Sequence, residues 1–190
     1  VKVFRFDKAD GRMRQIDTLR CELQSGPRHF RFSPDRRYLY LLYELKNVID
    51  VYAFHEEEDG DEVSFEKIQT ISTFNEKDRD PLIAACQMRF SPDTEASHLF
   101  VSNAGINTIS IYGRDFKTGL LTMKGSLPIG GEYPKDFCIF PDEKHIAVAN
   151  NESGTITFLN VDYEHGLLSM SARELAIDEP NCICMVKCTG

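Results

Sequence analysis

Cationic excess, long apolar runs, paired cysteines and helical periodicity are all missing from this 190-residue sequence, and each absence removes a class of protein. Asp and Glu number 30 against 22 Lys and Arg, for a formal net charge of −8. That balance argues against a chain that embraces nucleic acid or an anionic membrane through bulk charge. The longest apolar run, Tyr38-Leu39-Tyr40-Leu41-Leu42-Tyr43, has the length of a strand, far short of the ~18 residues of a membrane span. No signal-peptide pattern is visible, although the chain opens on Val1 rather than Met, which leaves an already removed leader open. No Gly-x-Ser-x-Gly, Gly-rich phosphate loop or dinucleotide fingerprint occurs, and no cofactor is expected.

Six cysteines are present, Cys21, Cys86, Cys138, Cys182, Cys184 and Cys188, with no C-x-x-C pair. They are too sparse for a secreted disulfide framework, and reduced thiols in a cytoplasmic protein are the expectation. The terminal group Cys182, Cys184 and Cys188 lacks a nearby histidine to complete a tetrahedral set, and Cys182 and Cys184 alternate as strand residues do, so no metal is assigned. The acidic run from His55 to Glu62 reads as a solvated loop; it lacks the spacing and the ligating Glu of a calcium loop.

What the sequence does contain is a repeat. Phe32-Ser33-Pro34-Asp35, Phe90-Ser91-Pro92-Asp93 and Phe140-Pro141-Asp142 place three Pro-Asp turns 58 and 49 residues apart. Glycines at 11, 60, 119 and 166 keep step with them. After each Pro-Asp come two β-rich runs divided by a polar break: Tyr38–Tyr43 and Val48–Phe54, His98–Ser102 and Thr108–Tyr112, His145–Ala149 and Thr155–Leu159. Each unit reads as four strands joined by a Pro-Asp turn, a polar turn and a Gly turn, the pattern of a β-propeller blade. A β-sandwich would not keep three prolines and four glycines in step.

The fold class expected is therefore all-β: one domain of four-stranded antiparallel blades, with helices scarce. Residues 1–25 read as the end of a preceding blade, 26–80, 81–130 and 131–178 as three blades, and 181–188 as a closing strand. Three blades and two remnants do not close a ring. The readings are a longer natural chain, which is favoured, a truncated piece without function of its own, or two copies combining. Open blade edges also predict self-association.

The stretch Gly26-Pro-Arg-His-Phe-Arg-Phe-Ser-Pro-Asp35 with Tyr38-Leu-Tyr-Leu-Leu-Tyr-Glu-Leu45 resembles the seven-bladed propeller lactonases. That family includes bacterial 6-phosphogluconolactonases and the fungal carboxymuconate lactonizing enzyme. The similarity continues through Leu99-Phe-Val-Ser-Asn103, Gly130-Gly-Glu-Tyr-Pro-Lys-Asp-Phe137 and Glu179-Pro-Asn-Cys-Ile183, and corresponds to the C-terminal half of the family's length. It implies hydrolysis of a small anionic lactone such as 6-phosphogluconolactone, with Arg28 and Glu44 in the proposed cleft. The alternative is a non-catalytic propeller that binds a sugar acid, a cell-wall fragment or a protein. Two departures weaken the transfer: Ala104 stands where the family has an arginine, which favours the alternative, and a family histidine belongs to an upstream blade.

Opening a lactone needs a base for water, donors for the oxyanion and cations for the substrate's anionic group. Arg28 offers a planar bidentate donor, Glu44 an acceptor, and His29 a group that exchanges protons near neutral pH. Counted from the Pro-Asp turns, Arg28, Cys86 and Lys135 are equivalent, as are His29, Gln87 and Asp136, and Glu44, Ala104 and Asn151. Equivalent positions lie on one ring near the central channel, which makes Lys135 and Asn151 candidates for substrate binding. Plainer roles compete. Arg28 shares strand parity with Phe30 and Phe32 and can snorkel beside them. His29 can be a structural hydrogen-bonded residue, Glu44 a cap on the turn before Asn47, and Lys135-Asp136 a local ion pair. His98 and His165 read as surface residues.

Overall fold

The computed structural model describes residues 1–57 and 62–186. The turn assigned to Gly60 and the thiol of Cys188 lie outside these. Fifteen strands and a single 3₁₀ turn at Glu76–Asp78 are formed among the described residues, with no α-helix.

A two-stranded hairpin opens the chain: β1 (Lys2–Phe6) and β2 (Met13–Thr18). Three antiparallel sheets follow, each a simple meander. The first holds β3 (Pro27–Phe32), β4 (Tyr38–Tyr43), β5 (Val48–Glu56) and β6 (Val63–Ser72). The second holds β7 (Ala84–Phe90), β8 (His98–Ala104), β9 (Thr108–Arg114) and β10 (Leu121–Pro128). The third holds β11 (Pro134–Ile139), β12 (His145–Asn150), β13 (Thr155–Asp162) and β14 (Leu167–Met170), with β15 (Leu175–Ala176) as a further piece. Strands β14 and β15 both pair with β13, so the third blade's outer strand is broken where the other two are continuous.

The burial pattern explains the sequence pattern. The second strand of a blade is covered on both faces by neighbouring blades, so it reads as an unbroken apolar run. In β4, Tyr40 and Leu42 face the second blade, packing with Ala85, Met88, Leu99 and Tyr112. Leu39, Leu41 and Tyr43 face the opposite way, with Leu19, Phe32 and Phe65. A third layer, Phe100, Ile109, Ile111, Phe137, Ile146 and Val148, joins the second and third blades. Each such large apolar side chain contributes about 1.5–3 kcal/mol by leaving water.

The two turn markers have physical causes. Ser33 Oγ donates to Asp35 Oδ1 at 2.6 Å and accepts from Tyr38 N–H at 3.0 Å; Ser91 repeats both bonds, with Asp93 and His98. Burial raises the Asp35 carboxyl, but the Ser33 hydroxyl and Arg37 outweigh it and hold the group at about 2. Gly119 has φ +74°, and its N–H donates to Asp115 O at 2.8 Å, a closure that an L side chain strains. The polar turns carry left-handed Asn47 (φ 54°) and Asn107 (φ 53°), whose Oδ1 atoms accept from Ala85 N at 2.8 Å and Tyr133 N at 2.9 Å in the next blade. Each asparagine therefore closes its own turn and fixes the entry of the following blade.

Residues 181–186 form no strand, in contrast to the expected closing strand at 181–188; 187 and 188 lie outside the described residues. The Ile183 N–H donates to Asp136 Oδ2 at 3.0 Å, and Asn181 Oδ1 accepts from Asn151 Nδ2 at 3.4 Å. The Ile183 N–H is taken by a side chain of β11 rather than by its backbone, so the strand-like alternation of Cys182 and Cys184 is not realised as a ladder among the described residues.

Candidate active site

The innermost strands β3, β7 and β11 carry a register shift at the same place: between Pro27 and His29, Ala85 and Met88, and Pro134 and Asp136. A β-bulge bends the strand and re-aims the side chain of the extra residue. Arg28 and Lys135 are those extra residues, and Cys86 lies within the corresponding irregularity.

Arg28 consequently leaves the apolar face that its parity with Phe30 suggested. Its Nη1 pairs with Glu44 Oε2 at 2.8 Å, and its Nε donates to Cys86 O at 2.7 Å in the second blade. Both partners stay about 30% accessible, at 29% for Arg28 and 31% for Glu44. Glu44 thus orients the guanidinium rather than capping the Asn47 turn. Cys86 is buried; burial pushes its thiol up, and Arg28, Glu44 and Lys135 all act on it electrostatically. The Lys135 ammonium lies 6.0 Å from the Tyr133 ring centroid. The Tyr133 phenol in turn feels Cys86, Glu44 and Arg28, behind the larger effect of its own burial. The structure therefore brings Arg28, Glu44 and Lys135 around Cys86 and Tyr133 on one rim. Tyr133 is not marked by the repeat; its signal in the sequence is its place directly before Pro134, the first residue of β11.

Asn151 adjoins the same rim, its backbone N–H donating to Tyr133 O at 2.9 Å. Its Nδ2 donates to Pro180 O at 3.5 Å and Asn181 Oδ1 at 3.4 Å. His29 is half-buried, and burial, then the charges of Arg28 and Arg31, lower its pKa, with Asp136 opposing and Arg89 adding to the depression. The imidazole is thus neutral at neutral pH and able to accept a proton.

Asp136 corrects another expectation. Adjacent residues of a strand diverge, so it does not pair with Lys135. It is buried, and accepts from Gln87 Nε2 at 2.8 Å, Arg89 Nη2 at 3.0 Å, Phe137 N at 2.8 Å and Ile183 N at 3.0 Å. Burial would raise its pKa; the Ile183 N–H, Gln87 and Arg89 outweigh this and hold it below the usual carboxylate value. His98 is half-buried against the Tyr163 ring at 4.7 Å rather than free on the surface. Among the described residues no three His, Cys, Asp or Glu side chains are grouped to hold a metal ion, and Cys21, Cys86, Cys138, Cys182 and Cys184 are free thiols.

Residues 1–185 match the family model described as Lactonase, 7-bladed beta-propeller. A 6-phosphogluconolactonase of Formosa agariphila is 29% identical over 170 residues, covering 87% of this chain and 45% of that protein. A 6-phosphogluconolactonase of Bacillus subtilis is 24% identical over 186 residues, covering 96% and 50%. The crystal structure of a protein from Lactobacillus plantarum superposes with a TM-score of 0.81 at 26% identity, covering 95% of this chain and 50% of that one. The chain spans about half the length of the curated relatives it matches. With the blade meander and the family match running through 185 of its residues, this chain belongs to the seven-bladed β-propeller lactonase family.

Proposed function

We propose that this chain carries the reacting rim of a hydrolase for anionic sugar lactones, 6-phosphogluconolactone among them. The observation that carries this reading is the Arg28–Glu44 pair, locked across the blade boundary onto Cys86 O with Lys135 on the same rim. The names of the relatives in Formosa agariphila and Bacillus subtilis support it.

In this reading water attacks the lactone carbonyl carbon, and neutral His29 takes the proton. The negative charge that develops on the carbonyl oxygen is met by the Arg28 guanidinium, whose Nη2 is left over by Glu44 and Cys86. Collapse of the tetrahedral intermediate breaks the ring C–O bond, and His29 returns its proton to the leaving alkoxide. Lys135 adds a positive field that steers the anionic substrate toward the rim. No cofactor enters this sequence.

The test is lactone hydrolysis above the spontaneous rate by the chain and by Arg28→Ala, with folding checked by circular dichroism. Loss of one oxyanion donor costs about 10²–10³ in turnover; equal turnover by the folded variant sinks the reading. A second reading, a propeller that binds a sugar acid without turning it over, is favoured by Ala104. This residue is fully buried at the position equivalent to Glu44 and offers no donor. Calorimetric binding of gluconate with no lactone turnover would select it.

A further inference from the structure

Two arginines occupy equivalent positions one layer deeper on the innermost strands. Arg31 opposes Tyr40 in the first blade, and Arg89 opposes Phe100 in the second. The alternation of the strands explains their placement. Phe32 packs into the apolar layer facing the hairpin, and Met88 and Phe90 into the layer facing the first blade. His29 and Arg31, and likewise Gln87 and Arg89, project from the opposite face of each strand. Strands β3 and β7 lie side by side, as do β7 and β11. Both guanidiniums therefore converge near the channel.

The charges there do not balance. Arg28, Arg31, Arg89 and Lys135 stand against Glu44 and Asp136, with Glu152 acting on Tyr133 at the rim, in a chain whose net charge is −8. Glu44 is committed to Arg28, and Asp136 to Arg89. Arg31 has no ion pair among the described residues; its one hydrogen bond, Nη1 to Phe30 O at 3.0 Å, goes to its own neighbour. Arg89 Nε is buried and has no partner. A half-buried guanidinium with no carboxylate of its own, beside a second guanidinium that a single carboxylate does not saturate, is an arrangement that an oxyanion completes.

We infer that Arg31 and Arg89 form an anion subsite, distinct from the Arg28–Glu44 pair, that takes the phosphate monoester end of a sugar acid. For its ligand the subsite rests on the lactonase reading above; its oxyanion chemistry stands without it. Three residues of strand separate Arg28 from Arg31, at most about 10 Å because the bulge shortens the rise, comparable with a six-carbon acid bearing a terminal phosphate. One end of such a ligand lies at Arg28 while the other lies between Arg31 and Arg89. His29 sits between them and reports on both. The charged groups that face it are Arg28 and Arg31 from β3, Arg89 from β7 and Asp136 from β11.

The test is calorimetric titration of inorganic phosphate into the chain and into Arg31→Gln, with the His29 imidazole followed by NMR. Arg31→Gln breaks no ion pair, so its thermal melt serves as a folding control, and Arg31→Lys keeps the charge without the fork. The expected result is phosphate binding weakened at least tenfold in Arg31→Gln, partly restored in Arg31→Lys and retained in Arg28→Ala. Phosphate should also raise the His29 pKa in the parent chain and not in Arg31→Gln. Equal phosphate binding in Arg31→Gln and the parent chain overturns the subsite. Gluconate, which lacks the phosphate, should bind at least tenfold more weakly; binding equal to that of phosphate overturns the phosphate assignment. Phosphate binding that depends on Arg31 in a chain that hydrolyses no lactone leaves the subsite standing and removes the lactonase reading. Turnover that depends on Arg28, with phosphate binding indifferent to Arg31, does the reverse.

Discussion

Replacing Asp136 by Asn changes almost no volume, yet it should loosen the junction of two blades and the C-terminal segment together. The carboxylate accepts from Gln87, Arg89, Phe137 and Ile183, and both oxygens are used. An asparagine can keep its oxygen toward Gln87 and the Phe137 N–H. Its NH₂ then faces the Ile183 N–H, donor against donor, and the Arg89 bond loses its charge assistance. An unsatisfied buried donor costs about 1–3 kcal/mol, and the loss of charge assistance adds about 1 kcal/mol. We therefore expect a loss of about 3 kcal/mol in urea unfolding at pH 7, with the Ile183 amide exchanging faster. The pH dependence has a definite sign. The folded pKa of Asp136 is depressed, so its contribution is present above the unfolded value of about 3.9 and is lost as pH falls through the folded value. The gap between parent and variant should therefore shrink in acid. A difference under about 0.5 kcal/mol at pH 7, the range of ordinary surface substitutions, or one unchanged at low pH, refutes this account.

Asn47→Ala should cost about 2–3 kcal/mol, because it strains a left-handed turn and frees both Ala85 N and Ile83 O in the next blade. Asn47→Gly should recover only the strain, about 1 kcal/mol, and equal urea midpoints for the two variants would contradict that division. Gly119→Ala combines a positive φ with a Cβ pushed into the Tyr38 ring, so a thermal midpoint within error of the parent would disprove the close packing. Carbon-detected NMR titration should find Asp35 at about 2; an ordinary value near 4 would mean that Ser33 and Arg37 do not hold it.

Much of this architecture is written in the repeat itself. The strand boundaries of β4 coincide with the apolar run Tyr38–Tyr43 because a strand covered on both faces has no polar positions to blur its ends. The in-step Pro-Asp and Gly residues mark turns that their backbone geometry requires. Counting from them places Arg28, Glu44 and Lys135 on one rim, where the structure has them. The same counting carried three residues further would have aligned Arg31 with Arg89. What the counting hides is direction. A bulge resets the alternation, so parity alone leaves the apolar face open to Arg28, and adjacency alone leaves a local ion pair open to Lys135 and Asp136. The partners of Asp136 come from another blade and from the C-terminal segment, 47 and 49 residues away, and no local pattern reports a contact at that distance. Asn47 and Asn107 were hidden for the same reason, since a turn residue that also bonds the next blade looks like any other turn residue.

The recurring bulge has a consequence for how such a chain can change. Within it the repeat places Arg28, Cys86 and Lys135 at one position; downstream it places Phe30, Met88 and Phe137. The extra residue belongs to neither side of the packing alternation, so its identity is decoupled from the volume the blades must fill. Cation, thiol and ammonium can be exchanged there while Met88 and Phe137 keep their apolar layers. Each blade thus offers one interchangeable socket at the channel mouth, and the chemistry of the mouth can be rewritten socket by socket on an unaltered frame.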